Sequence, residues 1–482
     1  MDRRTAGTLK WNTIDRVSTQ VLYALVGIVL ANILSQEDFG LVGALLVFQA
    51  FATLFVDSGF GSAILQKKDP TERDYSTIFW FNFGASVLVY VVLFFCAPLI
   101  ADIFQHDIRL IPLSRVMFLA FIFNGLGMVQ TVKLMKQQNV KMIAVANTLS
   151  LIVAGILGIW LAVAGYGPWA LVWQSVSMAA VKSGWLWLTG HWWPRSPFST
   201  VSLKSMWRLA VSVFSSSALN TFFLYIYSFV IGAFYNLTLL GVYTQADKWS
   251  KMGSASISQV LTASFIPVLA KHQEDPEAYR ECMRGINGFT SLVVFILLPG
   301  MALVGAPIFH LLFANKWDEA IPLFQILALR GVFVVWIQLL SNYLLGMGYG
   351  RRLFSIEIVK DLLIAAALLA TVWFGSLALL VWGQFAASAV TLAIALFIVR
   401  RAIGYRIRRF LADISPAFFA ALFALALGAL ALWGIGILTE SAAENLRRQL
   451  KGYLDEAGKA KAELGECKRE LMKLQQRQQQ KK

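Results

Sequence analysis

The sequence predicts an all-α polytopic membrane protein: two six-helix lobes in parallel repeat around a central cavity, a thirteenth helix, and a polar helical tail. Three observations carry this. Of 482 residues, 58% are hydrophobic and only 14% are charged, with a mean hydropathy of +0.64. Soluble chains carry about 25% charged residues, so a soluble fold of this length would have nowhere to put its apolar surface. Second, the chain breaks into thirteen apolar stretches, each near the roughly 20 residues a bilayer-crossing helix needs. Third, the basic residues alternate with those stretches.

The spans run 14–34, 39–64, 77–104, 112–132, 142–165 and 168–190, then 207–234, 238–269, 286–313, 320–347, 353–375, 377–399 and 415–438. The first ten residues lead straight into span 1 with no small-residue cleavage site, so no removable signal peptide is expected. With a cytoplasmic N-terminus, the inside segments hold 22 Lys and Arg, against only Arg109 and Lys316 outside. The positive-inside rule therefore orients the chain with its N-terminus cytoplasmic. It also accounts for most of the net charge of +15 without nucleic acid.

The six-six-one grouping divides the chain into an N-lobe (1–190), a cytoplasmic inter-lobe loop (191–206) and a C-lobe (207–400). A basic loop with span 13 (401–438) and a heptad-like or disordered tail (439–482) follow. Spans 1–2 and 7–8 share a motif at their junctions: a short polar turn, then an apolar-Gly-apolar helix start at Gly40 and at Gly241. Six helices per block is an even number, so the repeats run parallel, with a cavity expected between them.

Three cysteines and four histidines lie scattered, so no disulfide framework and no metal site is expected. No phosphate-binding loop and no large outside loop appears, so an enzyme is not expected. Chemistry then rests on ionisable residues inside spans, each costing at least about 2.5–3.5 kcal/mol at a helix centre unless it faces protein or water. Lys248 and Lys251 in span 8, one turn apart at mid-membrane depth, stand out. Arg330 in span 10 is similarly deep. Arg16 and Lys360 lie nearer the inner interface, where a snorkelling anchor is an even alternative. Glu357 and Lys360 have the spacing of a self-neutralising pair, and Asp247 sits about 100° round the helix from Lys248. A cavity rich in cations suits an anionic substrate. Span amides such as Gln49, Gln174 and Gln245 suit sugar hydroxyls, although they also serve as interhelical glue.

With WNTIDR before span 1, SQEDFGLVGALLVFQAFATLFVDSGFGSAILQKK through span 2 and LTLLGVYTQADKW opening span 8, residues 5–438 resemble the Wzx-type O-antigen and exopolysaccharide flippases of the multidrug/oligosaccharidyl-lipid/polysaccharide (MOP) superfamily. The resemblance implies a MATE-like fold with a cavity lined chiefly by spans 1, 2, 7 and 8. It implies a flippase moving undecaprenyl-diphosphate-linked oligosaccharide from the inner to the outer leaflet of the bacterial inner membrane by alternating access, using no cofactor beyond H+ or Na+ coupling. On that frame Arg16, Lys248, Lys251, Arg330 and Lys360 are the substrate-binding candidates, and Asp57 and Asp247 the ion-coupling ones. A polysaccharide polymerase and glycosyltransferases are the expected partners. The alternatives are a cation or drug antiporter of the same superfamily, or a non-transporting scaffold for glycan assembly. The family usually has fourteen helices, and here the polar tail stands where the last would be.

Overall fold

The computed structural model describes residues 3–57 and 59–434. The heptad-like tail (439–482) and the last four residues of span 13 (435–438) lie outside the described residues. In chain order the helices are α1 (Arg3–Ile33), α2 (Gln36–Asp57), α3 (Phe60–Gln66), α4 (Glu72–Ile103), α5 (Leu110–Met117), α6 (Leu119–Lys136), α7 (Val140–Val163) and α8 (Trp169–Gly190). The second half gives α9 (Thr200–Phe234), α10 (Leu237–Ala270), α11 (Pro276–Leu303), α12 (Gly305–Phe313), α13 (Ala320–Gly346), α14 (Gly350–Thr371) and α15 (Leu377–Ile403). A last helix, α16, spans Ile407–Gly434. Within the described residues, every expected span is a helix or a broken pair of helices. Among the described residues eleven are long and apolar enough to cross a membrane. Of the other two, α8 is rich in Trp and Ser, and α14 carries Arg351, Arg352, Glu357, Lys360 and Asp361. Residues up to Ile414 form one compact unit, and those from Ser415 belong to a second.

The helices begin earlier than the apolar stretches because caps, not hydrophobicity, start them. Thr71 and Asp74 form a reciprocal capping box at α4. Ser199 accepts from Ser202 N at α9, and the Asp275 carboxylate accepts from Glu277 N and Ala278 N at α11. Span 13 likewise starts at 407 rather than 415, once Gly404, at φ 73°, has ended α15. Span 2 is not continuous. It breaks before Gly59, whose φ of 68° is left-handed and whose missing Cβ lets the Ala210 carbonyl of α9 pass close by.

In the first lobe α7 lies between α1 and α8, and α6 bridges α8 and α4. In the second, α13 is the central helix, packed on α10, α11 and α15, with Trp336 and Tyr343 fully buried on it. Although α9 opens the second half of the sequence, it packs along α2, α3 and α4 of the first. The lobes meet where α2 crosses α10. Gly40 lies against the Leu237 backbone and Gly241 against the Gln36 backbone, so each glycine of the repeated motif admits the other lobe's main chain.

That crossing lies at the end of the bundle opposite the basic loops, and this end is sealed. Asn32 Nδ2 donates to Leu312 O (2.7 Å), Gln36 Nε2 to Lys316 O (2.8 Å), Lys316 Nζ to Asn32 O (2.9 Å) and Trp317 Nε1 to Ala31 O (3.0 Å). The rings of Phe39 and Trp317 meet edge to face at 5.4 Å. Nearby, Gln105 donates to Tyr235 O, and Arg109 holds both Asp107 and Glu37. The Arg109 guanidinium keeps the Asp107 carboxyl below its ordinary range, chiefly by hydrogen bonding.

Candidate functional site

A cavity of about 590 Å³ lies between the lobes, walled by α1, α2, α8, α9 and α10. Among the described residues lining it, Lys248 is the only charged one. α10 delivers Lys248 about eleven residues beyond Leu237, near the middle of a 34-residue helix. Its ammonium lies 4.5 Å from the centre of the Tyr23 ring and 5.2 Å from that of Trp249. Gly27 of α1 makes this seat possible, because a Cβ there would overlap the ammonium. Aromatic faces attract a cation without cancelling its charge, so the group remains available to an anion.

The rest of the wall is neutral, with aliphatic side chains such as Leu46, Leu171 and Met178 interspersed with a few polar ones. Gln49 Nε2 donates to Ser175 Oγ (3.0 Å), and Trp249 Nε1 donates to Gln245 Oε1 (3.1 Å). Tyr225 and Thr221 of α9 face the same space. Towards the end bearing the basic loops, a second cavity of about 470 Å³ shares Thr53 and Leu54 with the first and carries Lys182.

A third cavity, about 170 Å³, sits within the second lobe and collects Lys251, Arg330, Lys360, Glu357 and Asp361. Here the two lysines meet carboxylates, and the guanidinium meets neutral hydrogen-bond acceptors. Lys251 is 2.6 Å from Asp247, and Lys360 pairs with Glu357 and lies 3.8 Å from Asp361. Arg330 donates to Gln384 Oε1 (2.8 Å) and Ser388 Oγ (3.1 Å), and Gln384 in turn donates to the Tyr243 hydroxyl (3.0 Å). Asp361 is 4% exposed, and one of its oxygens accepts no hydrogen bond.

Lys248 and Lys251 therefore do not share one site, contrary to the expectation from sequence. Three residues turn a helix through about 300°, which leaves the two about 60° apart, and α10 is the partition between two cavities. Asp247 points away from Lys248. Against Lys251 it stands four residues back on the same face, and there the two pair. The expected Glu357–Lys360 pair is present. Arg16, nearer the basic end of α1, is exposed and lines none of the three cavities. Asp57 ends α2, but its side chain lies outside the described residues. Sequence reasoning passes over Tyr23 and Gly27. The only available signal is a glycine midway along span 1, level with a lysine in span 8.

Residues 29–322 match the family described as polysaccharide biosynthesis protein. Teichuronic acid biosynthesis protein TuaB of Bacillus subtilis (strain 168) is 27% identical over 89% of each chain. Lipopolysaccharide biosynthesis protein WzxC of Escherichia coli (strain K12) is 25% identical over 68% of this chain and 67% of its own. Among solved structures, lipid II flippase MurJ in an inward closed conformation superposes with a TM-score of 0.70 at 12% identity, covering 88% of this chain and 98% of MurJ. An inward-facing multidrug resistance MATE family transporter of the MOP superfamily gives 0.64 at 16% identity, covering 80% and 94%. At such identities the likeness is one of fold, and both flippase and drug transporter share it. The chain is a multi-pass membrane protein with the MOP fold, and by its sequence it belongs to the polysaccharide biosynthesis protein family.

Proposed function

We propose that the chain is a flippase for oligosaccharide linked to a polyprenyl diphosphate such as undecaprenyl diphosphate. The observation that carries this is Lys248, the one charged group among the described residues of a deep cavity otherwise lined by apolar side chains, amides, hydroxyls and rings, with no carboxylate among them. A diphosphate is an anion of opposite sign, and charge-assisted hydrogen bonds to it strengthen away from water. The lipid tail stays in the bilayer while the headgroup enters from the end bearing the basic loops, which the positive-inside rule makes cytoplasmic in the bacterial inner membrane. Rocking of the lobes then parts the sealed α2–α10 end and releases the headgroup on the other side. Glycosyltransferases supply such a substrate, and a polysaccharide polymerase would consume it. An H+ or Na+ gradient resets the cycle through intramembrane carboxylates, of which Asp57 and Asp247 are candidates. Of these, Asp247 acts only by exchanging its partner Lys251. A cation or drug antiporter is disfavoured, because a cavity whose one charge is a lysine repels its cargo.

The test is headgroup translocation of a polyprenyl-diphosphate oligosaccharide in inverted membrane vesicles, with and without an imposed ion gradient. Gradient-dependent movement that is lost in Lys248→Gln, with the protein still monodisperse, is expected. Undiminished movement in that variant would sink the assignment.

A further inference from the structure

We infer that Trp249 and Phe313 are positioning residues that carry the loading of Lys248 to the sealed end, so that a bound headgroup loosens the seal and an empty cavity keeps it shut. This rests on the flippase reading of the cavity and adds how release is timed. Trp249 lies between the two sites. The Lys248 ammonium is 5.2 Å from the centre of its ring, and the ring of Phe313, the last residue of α12, is 5.9 Å away at 51°. Phe313 is 2% exposed and is backed by Phe309 at 5.3 Å.

Phe313 is also the root of the seal. Ala314 and Asn315 follow it with φ of 46° and 65°, and Lys316 N donates to Phe313 O (3.0 Å). Two left-handed residues closed in this way form a tight turn that is ordinarily built from Gly, Asn or Asp. Such a link is short and stiff, so Lys316 must follow Phe313. The residues flanking the link make the four hydrogen bonds of the seal: Leu312 and Lys316 through their carbonyls, Lys316 through its ammonium and Trp317 through its indole. The second face of the seal is equally near. Gly27 of α1 lies against Lys248 and Trp249, and one turn further along α1 come Ala31 and Asn32, the acceptors of two of those bonds. In the empty cavity the ammonium rests on the rings. A diphosphate arriving from the basic end offers it a charge-assisted hydrogen bond instead and draws it off Trp249, which then no longer braces Phe313. Coupling of this kind is reciprocal: the factor by which cargo loosens the seal is the factor by which a loosened seal tightens cargo binding.

The test uses the full-length protein in detergent with farnesyl diphosphate as the probe. Hydrogen exchange is followed by mass spectrometry over residues 312–320. Saturating probe should speed exchange there about fivefold or more in the parent, and should leave it unchanged in Phe313→Leu, which keeps an apolar side chain at that position. In return, Trp317→Phe removes a seal donor that does not line the cavity. It should tighten probe binding by a similar factor, read by titration calorimetry, and by less than about twofold when Phe313→Leu is also present. Should Phe313→Leu prove unstable, Trp249→Leu is expected to abolish the exchange response in the same way. Exchange that the probe leaves unchanged or slows in the parent, or a Trp317→Phe effect that persists beside Phe313→Leu, overturns the relay. Probe binding that ignores Lys248→Gln overturns the parent reading instead, so the two failures are distinguishable.

Discussion

Gly27→Ala separates function from stability at a single atom. A Cβ at Gly27 would overlap the Lys248 ammonium, stand 3.5 Å from its Cε and come within 3.9 Å of the Trp249 ring. To regain an ordinary separation the ammonium must retreat by about 1 Å. It can do so, because the obstacle is the far end of a flexible side chain rather than backbone. The fold should scarcely register the change. Alanine in a helix interior gains up to about 1 kcal/mol over glycine, while loosening the contact with Tyr23 gives back about 0.5–2 kcal/mol, so the net lies near zero. Transport should register it strongly. Displacing a positioning group by 1 Å costs up to about a hundredfold, and a drop of tenfold or more in gradient-driven headgroup translocation is expected. The assay pairs vesicle translocation with thermal unfolding in detergent. Full transport by Gly27→Ala, with an unchanged melting profile, would refute the claim that the glycine seats the lysine and that the lysine holds the substrate.

Other outcomes follow from the same geometry. Arg330→Met strips Gln384 and Ser388 of their donor and leaves Asp247, Glu357 and Asp361 with only Lys251 and Lys360 to offset them. It should lower unfolding stability by about 3 kcal/mol, read by chemical denaturation in detergent. Gly40→Ala drives a methyl group into the Leu237 carbonyl, which is backbone and cannot yield. The sealed end should part, so that a Gln36→Cys, Lys316→Cys pair, cross-linking readily in the parent, cross-links poorly in its presence. Asp107→Asn removes a carboxylate held below its usual range by Arg109. Because the folded value lies below the unfolded one, about 3.9, the contribution is complete above that value and is lost as pH falls through the lower one. The variant should be less stable by under about 1 kcal/mol at pH 6, since Arg109 is half exposed, and should match the parent once the pH is low enough to protonate Asp107.

The architecture is legible in the sequence because membrane helices advertise themselves: a long apolar window suffices for the thirteen helical stretches and their order, eleven of them apolar and long enough to cross a membrane. Gly40 and Gly241 are legible as marks of a repeat. That they meet each other across the interface is not, since only folding brings the two helix starts together. The intramembrane charges show where sequence stops. Depth along a helix locates Lys248, Lys251 and Arg330, but compensation depends on neighbours from other helices and on which side of α10 each residue emerges. Asp247 neutralises Lys251, and Gln384, more than fifty residues from Arg330, holds its guanidinium. Lys248 is left with rings that carry no countercharge. The difference between a binding group and a structural one is thus written in tertiary contacts.

The last turn of α1 is finished by the other lobe. Its Ala31 and Asn32 carbonyls, which a helix end leaves without internal partners, accept from Trp317 and Lys316. When the lobes separate at this end, both carbonyls and the Trp317 indole, 1% exposed while sealed, lose those partners together. In a narrow seam between helices only water can replace them. Opening is therefore a hydration step that wets the buried Trp317 indole and puts water in place of Lys316 on the more exposed Asn32 carbonyl. Solutes excluded from protein surfaces, which favour states with less wetted area, should act as a brake on this half of the cycle, and the rate of turnover should track osmotic strength even when the ion gradient is held constant.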